Sequence, residues 1–338
     1  MQTEFAGRVE ARLRTGNQRM AGPRPMDPGA LWRIPILLIN GAMVIVFGSI
    51  NLDLIFPVPH IPAVGETVLG PAIRIEPGGK GANQAVAAAR DGARVIMAAA
   101  VGRDSLAAIA LTMLRQANID LTRVLETDAS TGCAGVAVDP AGNNAIVVGS
   151  GANLVVHQTQ IEDALLNPAS TVVLQMEVPA AETAALVRRA HAKGARVILN
   201  LAPAAPFPEA TLREVDILVV NETESAWLAN RLGCGDGAAQ IYARLGTVTV
   251  RTLGGDGLEL ASAEGVTAMP AHAVTAIDTT AAGDCFVGVL AAALDRGASL
   301  TGALNRATAA AALCCTRHGS QGSIPLANET DAFLMRDL

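Results

Sequence analysis

Hydrophobic positions fall in short continuous runs along most of this chain, and the spaces between the runs are filled largely by alanine-rich stretches with helical spacing. The first clear run is "MVIVFGSI", opening at Met43. A Pro- and Gly-punctuated stretch follows to Pro77; then "GANQAVAAARDGA" reads as a helix and "RVIMAAAVG" as a strand. The runs "STVVLQMEVP", "ARVILNLAPA", "VDILVVNETE" and "TVTVRTLGGDG" read as further strands, mostly with helical segments between them. Strands that are apolar throughout and separated by helices predict an α/β fold, a mainly parallel sheet covered on both faces.

Two segments break this rhythm. Residues 52–76 and 130–149 are turn-rich and β-like, and "AGVAVDPAGNNAIVVG" reads as a hairpin turning at Pro140 to Asn143. They can pair as a small sheet outside the main one. Ligands of open α/β sheets lie beyond the carboxyl ends of the strands, where such a sheet can serve as a lid.

Composition narrows the class. With 338 residues, 51% hydrophobic and 17% charged, the chain suits one large α/β unit with a modest appendage as well as two domains. A net charge of −6 and the lack of basic runs interleaved with aromatics argue against nucleic acid as a partner. The five cysteines, Cys133, Cys234, Cys285, Cys314 and Cys315, show no CxxC spacing, which speaks against a zinc site or a disulfide framework and for a reducing, cytoplasmic setting. "IPILLINGAMVIVFGSI" is interrupted by Pro35, Asn40, Gly41 and Gly48, so it reads as a buried strand and no membrane partner is expected. The first 42 residues carry six arginines and three acidic residues with no secretory pattern. They are expected to be a disordered extension or an over-long start, with residues 43–338 as the folded domain.

Two motifs carry candidate chemistry. "PGGKGANQAVAAA" sets Gly78, Gly79 and Gly81 at a helix start with Lys80 and Asn83 as the polar groups. It is not a dinucleotide fingerprint, because Gln84 stands at the third glycine, nor a Walker loop, because Gly81 follows the lysine. A plain glycine-rich turn is the alternative. Yet the chain has 23 arginines and two lysines, Lys80 and Lys193, so a lysine here reads as one that has to be a lysine. In "DTTAAGD", Ala281, Ala282 and Gly283 can turn their N–H groups toward one point at a helix mouth, making an anion hole, while Asp284 can accept a proton. That pairing suits transfer of a phosphoryl group to a hydroxyl. The competing reading, Asp284 as a helix cap only, is about equally good for this motif alone.

The remaining candidates are weaker singly. Asn51 and Asp53 follow the first strand at alternate positions and so share a face, and Glu177 ends another strand. Such groups suit a polyhydroxyl ligand. "VNETE" either starts a helix or holds magnesium through water, and "TLGGDG" either ends a strand or approaches a nucleotide. The histidines show no paired spacing and none is assigned to catalysis.

Order and spacing change that picture. "GSINLD", "GETV", "GGKGANQAVAAAR", "STG", "NLAPA", "NETE", "TLGGDG" and "DTTAAGD", taken in sequence from Met43 onward, resemble the ribokinase branch of the PfkB carbohydrate kinase family. The resemblance implies a three-layer α/β kinase with a small β lid, using ATP to phosphorylate D-ribose at its 5-hydroxyl. It implies Asp284 as general base, Ala281, Ala282 and Gly283 as anion hole, and sugar contacts at Asn51, Asp53, Gly79, Lys80, Asn83 and Glu177. Asn221 and Glu224 would serve phosphates and Mg²⁺, with Thr252, Gly254 and Gly257 beside the nucleotide. A K⁺ site would draw on Asp278, Thr280, Cys314, Arg317, Gly319 and Ser323, largely through carbonyls. A homodimer through the lid is implied as well. Alanine at 281, where many members have glycine, implies a backbone at negative φ there. Thr308 stands where ribokinases can have a histidine near adenine. The acceptor-site carboxylates Asp53, Glu177 and Asp284 against Lys80 disfavour a phosphorylated sugar. Deoxyribose, fructose, a nucleoside acceptor and a non-catalytic sugar-binding protein are the alternatives.

Overall fold

The computed structural model describes residues 42–336; the expected extension lies, all but its last residue, outside the described residues. In chain order the strands are β1 (Met43–Phe47), β2 (Asn51–Pro57), β3 (Arg74–Gly78), β4 (Val95–Gly102), β5 (Asp120–Thr127), β6 (Gly132–Val138), β7 (Asn144–Gly149), β8 (Ser170–Leu174), β9 (Arg196–Asn200), β10 (Ile217–Asn221), β11 (Val248–Thr252), β12 (Leu258–Ser262) and β13 (Gly265–Met269). They form two sheets. A nine-stranded sheet has the order β13-β12-β11-β10-β9-β8-β1-β4-β5, and a four-stranded sheet the order β3-β2-β6-β7.

From β11 to β5 every neighbour in the large sheet is parallel, while β12 and β13 add an antiparallel edge. The apolar runs account for the parallel part. All residues of β1, β4 and β8 are buried, as strands covered on both faces must be. Each fully buried large side chain, such as Ile45, Phe47 or Leu174, contributes about 1.5–3 kcal/mol. The antiparallel edge and β5 are not evident in the sequence: β5 and β13 are half-buried or exposed, and β12, although mostly buried, is a five-residue strand broken by Glu259 and ended by Ser262, so none carries the continuous apolar signature.

Strand order reverses between β1 and β8. From β1 the chain advances to β4 and β5 on one side; from β8 it advances to β9, β10 and β11 on the other. Right-handed crossovers in opposite directions place helices on opposite faces and open a crevice at the reversal, beyond the carboxyl ends of β1 and β8. Gly48 to Asn51 and Gln175 to Glu177 lie there. The Lys80–Arg90 and Ala282–Asp295 helices pack together beside it, closely enough that a Cβ on Gly288 would fall 2.4 Å from the Gln84 carbonyl oxygen.

The small sheet arises where the sequence breaks rhythm. β6 and β7 pair antiparallel with Val138 opposite Asn144, so the hairpin turns at Pro140 to Asn143 as read. β2 and β3 pair with Asp53 opposite Glu76. The face that carries Asn51, Asp53, Ala134, Val136 and Ile146 overhangs the crevice.

Candidate active site

Two cavities meet at the mouth of the Ala282–Asp295 helix. The larger, ≈ 720 Å³, is lined by the lid face with Asn51, Asp53, Arg74 and Glu76, by Gly79, Lys80, Asn83 and Glu177, and by the Ala276–Ala281 and His318–Ser320 loops. The smaller, ≈ 230 Å³, takes in Asn221, Glu224, Thr252 and Gly283. Lys80, Thr279, Ala281 and Asp284 line both.

Asp284 is 6% exposed and sits in the first turn of its helix, where the amide dipoles favour an anion. Each of its oxygens accepts one amide: Asn83 Nδ2 donates to Oδ2 and Gln84 Nε2 to Oδ1, both at 2.9 Å. Its carboxylate raises the Lys80 ammonium above the ordinary lysine value, against the opposing effect of burial. Gly79 makes the turn into the Lys80–Arg90 helix at φ 90°, and a Cβ on it would meet the Asn51 backbone nitrogen at 2.7 Å.

The acceptor wall is interlocked. Glu177 Oε2 accepts from Ser49 Oγ at 2.5 Å and from the Lys80 backbone N–H at 2.9 Å. Asn51 is held by Asn153, whose Nδ2 donates to Asn51 Oδ1 at 2.7 Å while its Oδ1 accepts from the Ile50 N–H at 2.9 Å. Burial, then the charges of Glu177, Glu76 and Asp284, push Asp53 up to about 7, with Lys80 opposing. Asn153, Glu76, Ser49 and Gln84 escaped the sequence reading. Glu76 had a usable signal, since it pairs across from Asp53 in a segment already read as β; Asn153 had none.

The anion hole differs from expectation in two ways. Ala281 has φ 60°, the left-handed region, so a negative φ is not what the turn uses. The chain must reverse at this residue to enter the helix, and an alanine there costs about 1–2 kcal/mol. The Ala282 N–H is also committed, donating to the Thr279 carbonyl at 3.2 Å. The N–H groups of Ala281, Gly283 and Asp284 have no acceptor among the described residues and remain for an anion.

On the phosphate side, Asn221 and Glu224 form a reciprocal cap: the Glu224 N–H donates to Asn221 Oδ1 at 2.8 Å and the Asn221 N–H to Glu224 Oε2 at 2.9 Å. The helix-start reading is therefore present, and the same two residues line the smaller cavity. Burial raises Glu224 above the ordinary carboxylate value, with the Asn221 hydrogen bond and Lys80 opposing. Thr252 lines the cavity too, while Gly254 and Gly257 close the β11–β12 turn and border neither cavity; nor does Thr308.

The Asp278 loop gathers most of the remaining candidates. Asp278 accepts from the Thr280 N–H at 2.9 Å and the Gly319 N–H at 3.1 Å, and although burial works the other way these bonds hold it below its ordinary value. Cys314 Sγ lies 3.0 Å from Ser323 Oγ and 3.8 Å from the Thr280 carbonyl oxygen. The Arg317 guanidinium pairs instead with Glu329 at 2.7 Å. Glu76 ties the small sheet to the neighbouring His318–Ser320 loop by accepting from the Ser320 N–H at 3.2 Å.

A carboxylate with two amide donors beside unpaired helix-start N–H groups, at the wall between two cavities, can take a proton from a hydroxyl while an anion is held. The profile of the pfkB family carbohydrate kinases matches residues 42–327. The chain belongs to that family. Among pfkB relatives, ribokinase from Haemophilus influenzae is 36% identical over 300 residues, covering 86% of this chain and 97% of that one. The solved structure of ribokinase from Thermotoga maritima superposes with a TM-score of 0.80 at 33% identity, covering 87% of this chain and 99% of its own. Ribokinase from Arabidopsis thaliana, solved with ribose and ATP, gives 0.78 at 26% identity with 87% and 99% covered. The pfkB fold thus extends over the whole described body.

Proposed function

We propose that this chain is an ATP-dependent sugar kinase that transfers the γ-phosphoryl group of ATP to the 5-hydroxyl of D-ribose, giving ribose 5-phosphate and ADP. The observation that carries the reading is the wall of Asp284 and Lys80 shared by the two cavities, which lets a hydroxyl and a phosphate meet from opposite sides. Likeness to a ribokinase solved with ribose and ATP supports the choice of both substrates. So does charge: Asp53, Glu76, Glu177 and Asp284 outnumber Lys80 and Arg74 along the larger cavity, which suits a neutral sugar and repels a phosphorylated one.

In this reading the sugar lies against Asn51, Asp53, the Gly79 backbone, Asn83 and Glu177. Asp284 accepts the proton of the 5-hydroxyl as that oxygen bonds to the γ-phosphorus and the bond to the bridging oxygen of ADP breaks. The N–H groups of Ala281, Gly283 and Asp284 donate to the phosphoryl oxygens, and Lys80 offsets their charge. Asn221, Glu224 and Thr252 face the phosphates, with Gly254 and Gly257 farther along the nucleotide.

Among the described residues no three His, Cys, Asp or Glu side chains cluster to hold a metal directly. That donor set fits Mg²⁺ bound through water near Asn221 and Glu224 and through phosphate oxygens, where it would offset developing charge. For K⁺, the ionised Asp278 carboxylate and the Thr280 and Gly319 backbone supply hard oxygen donors, with Ser323 beside them; Cys314 would contribute its carbonyl, and the Arg317 side chain is engaged elsewhere. A homodimer through the lid is supported by β7, an edge strand on which Ile146, Val147 and Val148 are all exposed. No helix among the described residues is long and apolar enough to cross a membrane.

The deciding experiment is ADP release from ATP and Mg²⁺ across ribose, deoxyribose, fructose, fructose 6-phosphate and adenosine, run in parallel with K⁺ and with Na⁺ at fixed ionic strength. Ribose-dependent turnover well above the rest, faster in K⁺, is expected. A different best acceptor would overturn the sugar assignment, equal rates in both salts the cation site, and no turnover by folded protein the kinase reading itself.

A further inference from the structure

Behind the candidate base lies a line of buried carboxamides that neither cavity reaches. Gln84 is fully buried and donates from Nε2 to Asp284 Oδ1 at 2.9 Å. Gln175, fully buried just past β8, donates from Nε2 to Gln84 Oε1 at 2.6 Å. The Oε1 of Gln175 has no hydrogen-bond partner, and it lies against Gly48, where a Cβ would fall 1.8 Å from it. Two apolar side chains of similar size would fill this space without burying an unpaired acceptor. Packing alone therefore does not explain the amides.

Their arrangement has a direction. A carboxamide exchanges donor for acceptor when it turns over, and an ionised carboxylate only accepts. Gln84 must therefore present Nε2 to Asp284. The acceptor-only carboxylate sets this direction, and Gln175 completes the line by satisfying the Gln84 Oε1; with Gln84 turned over, oxygen would face oxygen at Asp284. Asn83 holds the second carboxylate oxygen from the cavity side.

We propose that Gln84, its Oε1 satisfied by Gln175, is a positioning residue for phosphoryl transfer: with Asn83 it fixes the rotation of the Asp284 carboxylate, so that a free lone pair stays aimed at the acceptor hydroxyl. The role rests on the reading of Asp284 as the base. It acts through Asp284 and touches no substrate.

Gln84→Met and Gln175→Met remove the amides at nearly constant length. In Gln84→Met, kcat is expected to fall about 10- to 100-fold, as for a reacting group displaced by a fraction of an ångström, while KM for the sugar stays within about 2-fold. Gln175→Met loses less, and the double variant is no slower than Gln84→Met alone, because Gln175 works only through Gln84. In an Asp284→Asn background Gln84→Met changes nothing further. Additive losses, or full kcat in folded Gln84→Met, overturn the proposal. Should Gln84→Met fail to fold, Gln175→Met decides: a lowered kcat at unchanged KM supports the role and an unchanged kcat removes it. Near-wild-type turnover in Asp284→Asn removes the base and this role together, whereas an inactive Asp284→Asn beside a fully active Gln84→Met removes the positioning role alone.

Discussion

The two cavities that meet at Asp284 are built in opposite ways. On the acceptor side the functional groups are buried or half-buried side chains held by one another: Asn51 by Asn153, Glu177 by Ser49 and the Lys80 backbone, Asp284 by Asn83 and Gln84. On the phosphate side they are backbone N–H groups at a helix start and a solvent-facing cap, with Asn221 and Gly283 exposed. The contrast follows from what each side has to recognise. A sugar is told from its neighbours by the direction of each hydroxyl, which requires side chains fixed before it arrives. A phosphate presents the same oxygens in any nucleotide, and unpaired amides suffice.

The sharpest way to break this contrast is at the shared wall. Asp284→Asn is expected to lower kcat by about 10²- to 10⁴-fold while leaving sugar affinity, read by calorimetry, near wild type. Retained turnover would mean that the proton leaves by another route. Next in size is the acceptor side alone. Asn153→Ala strips Asn51 and the Ile50 N–H of their partner, and an unpaired buried group of this kind corresponds to a rise of about 10-fold in KM for the sugar with kcat little changed. An unchanged KM would say that Asn51 needs no support.

Charge gives a subtler probe. In the native protein Asp53 titrates near 7, against 3.8 for an ordinary aspartate, so the folded state holds this proton more tightly than the unfolded chain. Stability therefore falls as pH rises from about 4 to about 7, by at most about 1.4 kcal/mol for each pH unit between the two values, and the loss is complete above that window. Asp53→Asn should raise the melting temperature at pH 8 and leave it nearly unchanged at pH 4. Equal shifts at both pH values would contradict the crowding of carboxylates around it. The smallest effect is expected on the phosphate side. Ala281→Gly relieves a left-handed alanine worth about 1–2 kcal/mol, which for a chain of this size is a rise of a few degrees in Tm with turnover largely retained. A fall in Tm would mean that glycine's freedom in the unfolded chain outweighs the relief.

Most of the fold was legible because burial on both faces writes itself as continuous apolar runs. β1, β4 and β8 to β11 each fall within such a run, and the hairpin turn at Pro140 to Asn143 follows from turn chemistry. The chemistry-bearing motifs were legible too, since a helix start crowded with glycine and alanine beside an aspartate has few uses. Order and spacing did what no single motif could. The half-buried or exposed strands β5 and β13, and the short, polar-interrupted β12, left no comparable trace.

What the sequence alone determined is therefore local: periodicity, turn residues and the identity of the groups at each strand end, all set within a few positions along the chain. The tertiary structure decided which of those groups touch. Asn153 reaches Ile50 across 103 residues and Gln84 reaches Asp284 across 200, and no local pattern encodes contacts at that separation. It also decided the backbone at Ala281 and the partner of the Ala282 N–H, because the direction in which a chain enters a helix is imposed by what that helix packs against.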